Sequence, residues 1–126
     1  MDNTAATTQM PLYERLGEEP GVRKIVNDVL DKNSSNPLIG HHFRNIDMDK
    51  LKQLVFEFFS MGTGGPHTYT GRDMRSAHTG MNITEEEWVS ATDDTLWALD
   101  KNGIAQQEKN EVIAILESLK GDILGV

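Results

Sequence analysis

The chain has no cysteine. Disulfides, thiolate metal centres and cysteine nucleophiles are thereby excluded, and zinc-ribbon and iron–sulfur chemistry go with them. Positive charge is also scarce: 12 Lys and Arg stand against 20 Asp and Glu, for a formal charge of −8. Nucleic acid and anionic membrane surfaces need a basic stripe, so neither is expected as a partner. No apolar run approaches the roughly 20 residues that span a bilayer. The opening "MDNTAATTQM" lacks the basic start and apolar stretch of a signal peptide. A soluble, cytoplasmic protein is the expectation. No segment alternates like a strand, and neither a repeat nor a second domain is visible.

What is present is helical periodicity. Residues 1–10 are small, polar and unpatterned and are expected to form a flexible tail before a single domain over 11–126. "PLYERLGEEPG" predicts a short turn of helix and a break from Gly17 to Gly21. Val22, Ile25, Val26, Val29 and Leu30 then repeat at helical spacing until "SSNP". After the short segment "LIGHHF", Asp47 is placed to cap a helix carrying Met48, Leu51, Leu54, Val55, Phe58 and Phe59, which "GTGGP" stops. Residues 66–73 read as loop, and a short helix is expected around 73–79. Thr84 and Glu87 form a capping box for a helix with Trp88, Ala91, Thr95, Leu96 and Leu99 on one face. A last helix over about 106–120 carries Val112, Ile115, Leu116 and Leu119. The fold class is all-α, with a stub between two long helices that a plain bundle would join by a short loop.

Four histidines could carry chemistry: His41, His42, His67 and His78. His67 follows Pro66 in a loop and is expected to be solvated. His41 and His42 are adjacent, so on a helix they should point apart and not share one metal. His78 differs, because the carbonyl of Met74, four residues earlier, is within reach of a ring N–H. That bond would leave the other nitrogen free for a metal. There is no His-Glu-x-x-His and no Glu-x-x-His in the chain. A metal at His78 would have almost no other protein ligand, which suits haem iron, whose porphyrin supplies four nitrogens. The competing reading is a cofactor-free helical interaction module with an ordinary histidine at a helix end.

Beyond these single residues, the chain resembles the truncated haemoglobins of group I over roughly residues 11–120. The resemblance rests on "LYERLG" at 12–17, "EPGV" at 19–22, "IDM..LK" across 46–52, "GGP..YTGRDMR.AH" from Gly64 to His78, and "ITEEEW" at 83–88. It implies a two-over-two helical sandwich enclosing haem b, with a very short helix before the iron ligand. It also implies His78 as that ligand, Phe43 stacked on the haem, and Phe58 and Phe59 as an aromatic pair beside it. Met74, Ala77, Ile83, Trp88 and Leu116 would line the His78 side, and Tyr69, Arg72 and Arg75 would meet the propionates.

The departures from the family pattern concern the ligand side. A tyrosine and a glutamine that usually donate hydrogen bonds to oxygen are replaced by Leu30 and Val55. Leu51 fits the gate position, and Leu54 stands where some relatives have an iron-ligating histidine. His42 precedes Phe43 where a second phenylalanine is common, and Glu18 replaces an early glycine. The implied function is reversible binding of oxygen, nitric oxide or carbon monoxide in an apolar distal pocket, with an electron-donating reductase as a partner. Nitric oxide dioxygenase or peroxidase-like chemistry at the same haem is the catalytic alternative, with His42 the one visible acid or base.

Overall fold

The computed structural model describes residues 10–126. The tail expected over 1–10 lies outside these residues except for Met10, which is exposed. The helices are α1 (Leu12–Arg15), α2 (Glu18–Ser35), α3 (Met48–Gly62), α4 (Met74–His78), α5 (Glu85–Lys101) and α6 (Gln106–Ile123). A 3₁₀ turn over Gly40–Phe43 joins α2 to α3. α2 packs on both α3 and α5, and α5 meets α6. The pair α2–α3 thus stacks on the pair α5–α6 as the expected two-over-two sandwich. None of the described helices is long and apolar enough to cross a membrane.

The core forms where α2 crosses its neighbours. Val22, Val26, Phe56, Leu99 and Val112 are each at most 1% exposed. Polar ties set the helices in register around them. Asn33 on α2 donates to Asp94 on α5 at 2.8 Å, and both are buried. Arg15 at the end of α1 pairs with Glu108 and Glu111 on α6 at 2.8 and 2.6 Å. The capping box of Thr84 and Glu87 opens α5, and Asp47 caps α3 by accepting from the Lys50 N–H.

Two boundaries differ from expectation. The break predicted from Gly17 to Gly21 shrinks to Gly17 and Glu18, with φ of 103° and 59°. Pro20 lies in the first turn of α2, where its missing N–H costs no helical bond. Glu18 occupies the position where glycine is expected and adopts the left-handed conformation glycine takes at least cost. At the other end, α6 runs to Ile123, past the expected 120. The chain then turns back on the segment after α4. Val126 C=O accepts from Gly80 N–H at 3.2 Å and Asn82 N–H at 3.0 Å, and Gly125 N–H donates to Ile83 C=O at 2.9 Å. Ile83 and Leu124 form an isolated parallel bridge, the extent of strand-like pairing among the described residues.

Candidate functional site

Between the helix pairs lies a cavity of about 430 Å³. Its α2–α3 wall is apolar: Leu30, Leu51, Leu54, Val55, Phe58 and Phe59 all line it, with Phe43 from the 3₁₀ turn. The α4 wall supplies Met74, Ala77 and His78, and Ile83, Trp88 and Leu116 continue it onto α5 and α6. Helical spacing explains the grouping, since each helix aims a stripe at i, i+3 and i+4 towards one side.

His78 is the one lining side chain with a metal-ligating nitrogen and no carboxylate partner. Its Nδ1 lies 2.7 Å from the Met74 carbonyl. A carbonyl oxygen can only accept, so Nδ1 carries the proton and Nε2 keeps its lone pair. This is the bond the sequence predicts. Asp73 starts α4 by accepting from the Ser76 N–H at 3.2 Å. The loop before α4 is shaped by Tyr69, whose hydroxyl donates to the Arg72 carbonyl at 2.5 Å and whose ring meets Phe58 edge-on at 5.2 Å. A side chain at Gly71 would overlap the Tyr69 ring, so glycine there lets the loop fold over it. Burial pushes the Tyr69 phenol up.

Most other polar side chains in the cavity are engaged. Asn33 donates to Asp94, Thr95 Oγ1 to the Ala91 carbonyl at 3.1 Å, and Trp88 Nε1 approaches Glu117 at 3.4 Å. His42 Nε2 lies 3.2 Å from Glu87 Oε2. Arg72 lines the cavity and donates from Nη1 to the Ser76 carbonyl at 3.3 Å. No hydrogen-bond donor therefore comes from Leu30, Leu51, Leu54 or Val55.

Of the residues that the resemblance assigns to the haem site, Arg75 is the one not brought to the cavity: it is exposed and does not line it, and neither do His41 and His67. Two histidine expectations need correction. His67 is half-buried, with Nδ1 2.8 Å from Ser60 Oγ and its ring edge-on to Phe56 at 4.7 Å. It ties the loop after α3 to the core because Ser60 and Phe56 share the buried side of α3. His41 and His42 do not point apart. A 3₁₀ turn places their ring centroids 4.0 Å from each other. Residues that sequence reasoning left out of the site include Asn33, Ile39, Met81, Glu87, Ala91, Thr95, Leu119 and Ile123. Some had a signal: Ala91 and Thr95 follow Trp88 at i+3 and i+7, as Leu119 and Ile123 follow Leu116. Ile39 and Met81 lie in irregular segments, where no periodicity marks a direction.

These residues fit haem. The walls are apolar, as a macrocycle requires, and one imidazole offers a free nitrogen whose tautomer is fixed from behind. The bacterial-like globin family model matches residues 11–125. The chain is 30% identical over 114 residues to a group 1 truncated haemoglobin of Tetrahymena pyriformis, covering 90% of this chain and 94% of that one. The crystal structure of truncated haemoglobin from Tetrahymena pyriformis in its Fe(III) form superposes with a TM-score of 0.89 at 29% identity, over 93% of this chain and all of that one (100%). A 2/2 haemoglobin of Synechococcus, solved with covalently attached haem, matches with a TM-score of 0.84 at 27% identity, over 91% of this chain and 98% of its own. Globin fold, apolar cavity and these likenesses agree: the chain belongs to the bacterial-like globin family, among the truncated haemoglobins of group 1, whose common activity is haem-based binding of diatomic ligands.

Proposed function

We propose that this chain holds haem b through His78 Nε2 and reversibly binds oxygen, nitric oxide or carbon monoxide in a pocket to which Leu30, Leu51, Leu54 and Val55 bring no donor. The observation that carries the reading is the 2.7 Å contact of His78 Nδ1 with the Met74 carbonyl in the wall of an apolar cavity. When bound, haem supplies a ferrous iron able to take up a diatomic ligand. The protein's part is to orient one imidazole, exclude water and set the polarity around the ligand. Met74, Ala77, Ile83, Trp88 and Leu116 enclose the His78 side of the cavity, and Phe43, Phe58 and Phe59 would pack along the macrocycle. Tyr69, Arg72 and Arg75 lie in or beside the loop leading to α4 and serve the propionates, Arg75 from its exposed position. Leu51 acts as gate. An external reductase keeps the iron ferrous.

The contact of His42 with Glu87 supports reading His42 as engaged away from the iron. It also leaves the catalytic alternative, nitric oxide dioxygenation or peroxidase-like turnover, without a free acid or base. The test is spectroscopic. Purified protein should show a Soret band, and His78→Ala should lose stable haem, with imidazole restoring it. A wild-type spectrum and haem retention in that variant would sink the assignment. The ferric protein should be high-spin, and a low-spin spectrum converted to high spin by His42→Ala or His41→Ala would put a histidine on the iron instead.

A further inference from the structure

The 3₁₀ turn brings His41 and His42 to the first turn of α5. Both Nε2 atoms approach the same carboxylate oxygen, Glu87 Oε2, at 3.8 Å from His41 and 3.2 Å from His42. The three ligand atoms lie within 4.8 Å of one another, the one such cluster among the described residues. One carboxylate oxygen thus faces two imidazole nitrogens, and these are three groups of the kind that gather around a divalent cation.

We infer that His41, His42 and Glu87 form a second metal site, separate from the haem ligand, for a borderline divalent cation of the Zn²⁺ type. Two imidazoles and one carboxylate suit zinc, copper or nickel, whereas calcium and magnesium require oxygen ligands. Tetrahedral zinc with bonds of about 2.1 Å spaces its ligand atoms by ~3.4 Å. The two histidine–carboxylate distances bracket that spacing, and the imidazole nitrogens lie within 4.8 Å of each other, so side-chain rotation closes the third edge. The carboxylate is already oriented, because Glu87 Oε1 accepts the Thr84 N–H at 3.0 Å and leaves Oε2 facing the rings. The His42 and Glu87 side chains are 13% and 12% exposed, while His41 is 48% exposed. The site is therefore open on the His41 side, where water completes the coordination. A net charge of −8 favours cation capture. The bound ion would clamp the turn carrying Phe43 to α5.

The site is tested by calorimetric titration of ZnCl₂ into the haem-containing protein under carbon monoxide, which occupies the iron's free position and removes iron ligation as a competitor for the histidines. One equivalent should bind with micromolar affinity. His41→Ala and Glu87→Gln should each weaken it at least tenfold. His41 is exposed, and Gln at 87 keeps the capping box, so both variants should fold, as circular dichroism will check. His67→Ala should leave uptake unchanged. Absence of saturable uptake would overturn the site, as would uptake that survives both His41→Ala and Glu87→Gln or that His67→Ala abolishes.

Discussion

On the α2–α3 wall of the cavity, Leu30 is 4% exposed and belongs to the same cluster as Phe56, Ala98 and Leu99. On the α4 wall, the helix bearing His78 has no buried residue at all. The first wall is the inner surface of the core, and its shape is set by close packing. The second hangs on polar bonds. Glu57 accepts from Thr70 Oγ1 at 2.7 Å and from Thr70 N–H at 3.0 Å, Asp73 caps α4, and Val126 holds the segment after it. The pocket thus joins a rigid apolar face to a lightly packed stub that presents one imidazole. Chemistry can be removed from the stub at little cost in stability, whereas a polar group added to the first wall changes ligand chemistry without disturbing the stub.

The largest effect expected is at His78. Its replacement by alanine should abolish stable haem retention yet change the stability of the haem-free protein by less than about 1 kcal/mol, since His78 is only half-buried and no residue of α4 is fully buried. Urea unfolding of the apoprotein measures this, and a loss of several kcal/mol would show that the stub belongs to the core after all. Next comes the apolar wall. Oxygen carrying partial negative charge in the pocket gains roughly 1.5–3 kcal/mol from a charge-assisted hydrogen bond. Leu30→Tyr with Val55→Gln should therefore slow oxygen release by roughly tenfold to a hundredfold. Carbon monoxide release should change less, and equal slowing of both gases would point to steric closure instead of a donor.

A smaller effect is expected from the C-terminal pairing. A chain ending at Ile123 loses the bonds to Gly80 and Asn82 and the one from Gly125. Hydrogen exchange at Gly80 and Asn82 should rise about tenfold, with Leu99 unchanged, given about 1 kcal/mol per bond. Unaltered exchange at both would mean the stub needs no tether. The smallest effect is that of acid. The Thr70 hydroxyl, then Gln53 and the Thr70 N–H, hold the Glu57 carboxyl below its usual range, and Ser76 does the same for Asp73. A lowered carboxyl stabilises the fold fully above its ordinary value, roughly 4 to 4.5, and loses that contribution as pH falls through the lowered one. Protection factors at Thr70 and Ser76 should drop in that acid range before those of the core. Glu57→Gln should remove the pH dependence at Thr70, and a variant that keeps it would assign the effect to another group.

Much of this was legible along the chain. Apolar spacing, the Thr84 capping box and the Gly64–Gly65 stop located the long helices, because helix periodicity and caps are local. The His78–Met74 bond was legible for the same reason, as both partners lie one turn apart. The resemblance supplied the sandwich and most of the cavity wall. Three features depended on distant partners and could not be read locally. His67 meets Ser60 and Phe56 only after the loop folds back. His41 and His42 converge because a 3₁₀ turn, not an α-helix, carries them to Glu87. The pairing of residues 124–126 with 80–83 joins segments without any pattern of their own.

Sequence alone determined the helices and the single imidazole with its carbonyl partner, which follow from residue type and short-range spacing. That Leu30 and Val55 stand where donors are usual is what the family resemblance implies. Tertiary structure decided which polar groups were used up inside the cavity, which histidines faced one carboxylate, and what held α4 in place. Those outcomes depend on atoms brought together across 45 or more positions in the case of His42 and Glu87, and only packing of the whole chain sets such distances.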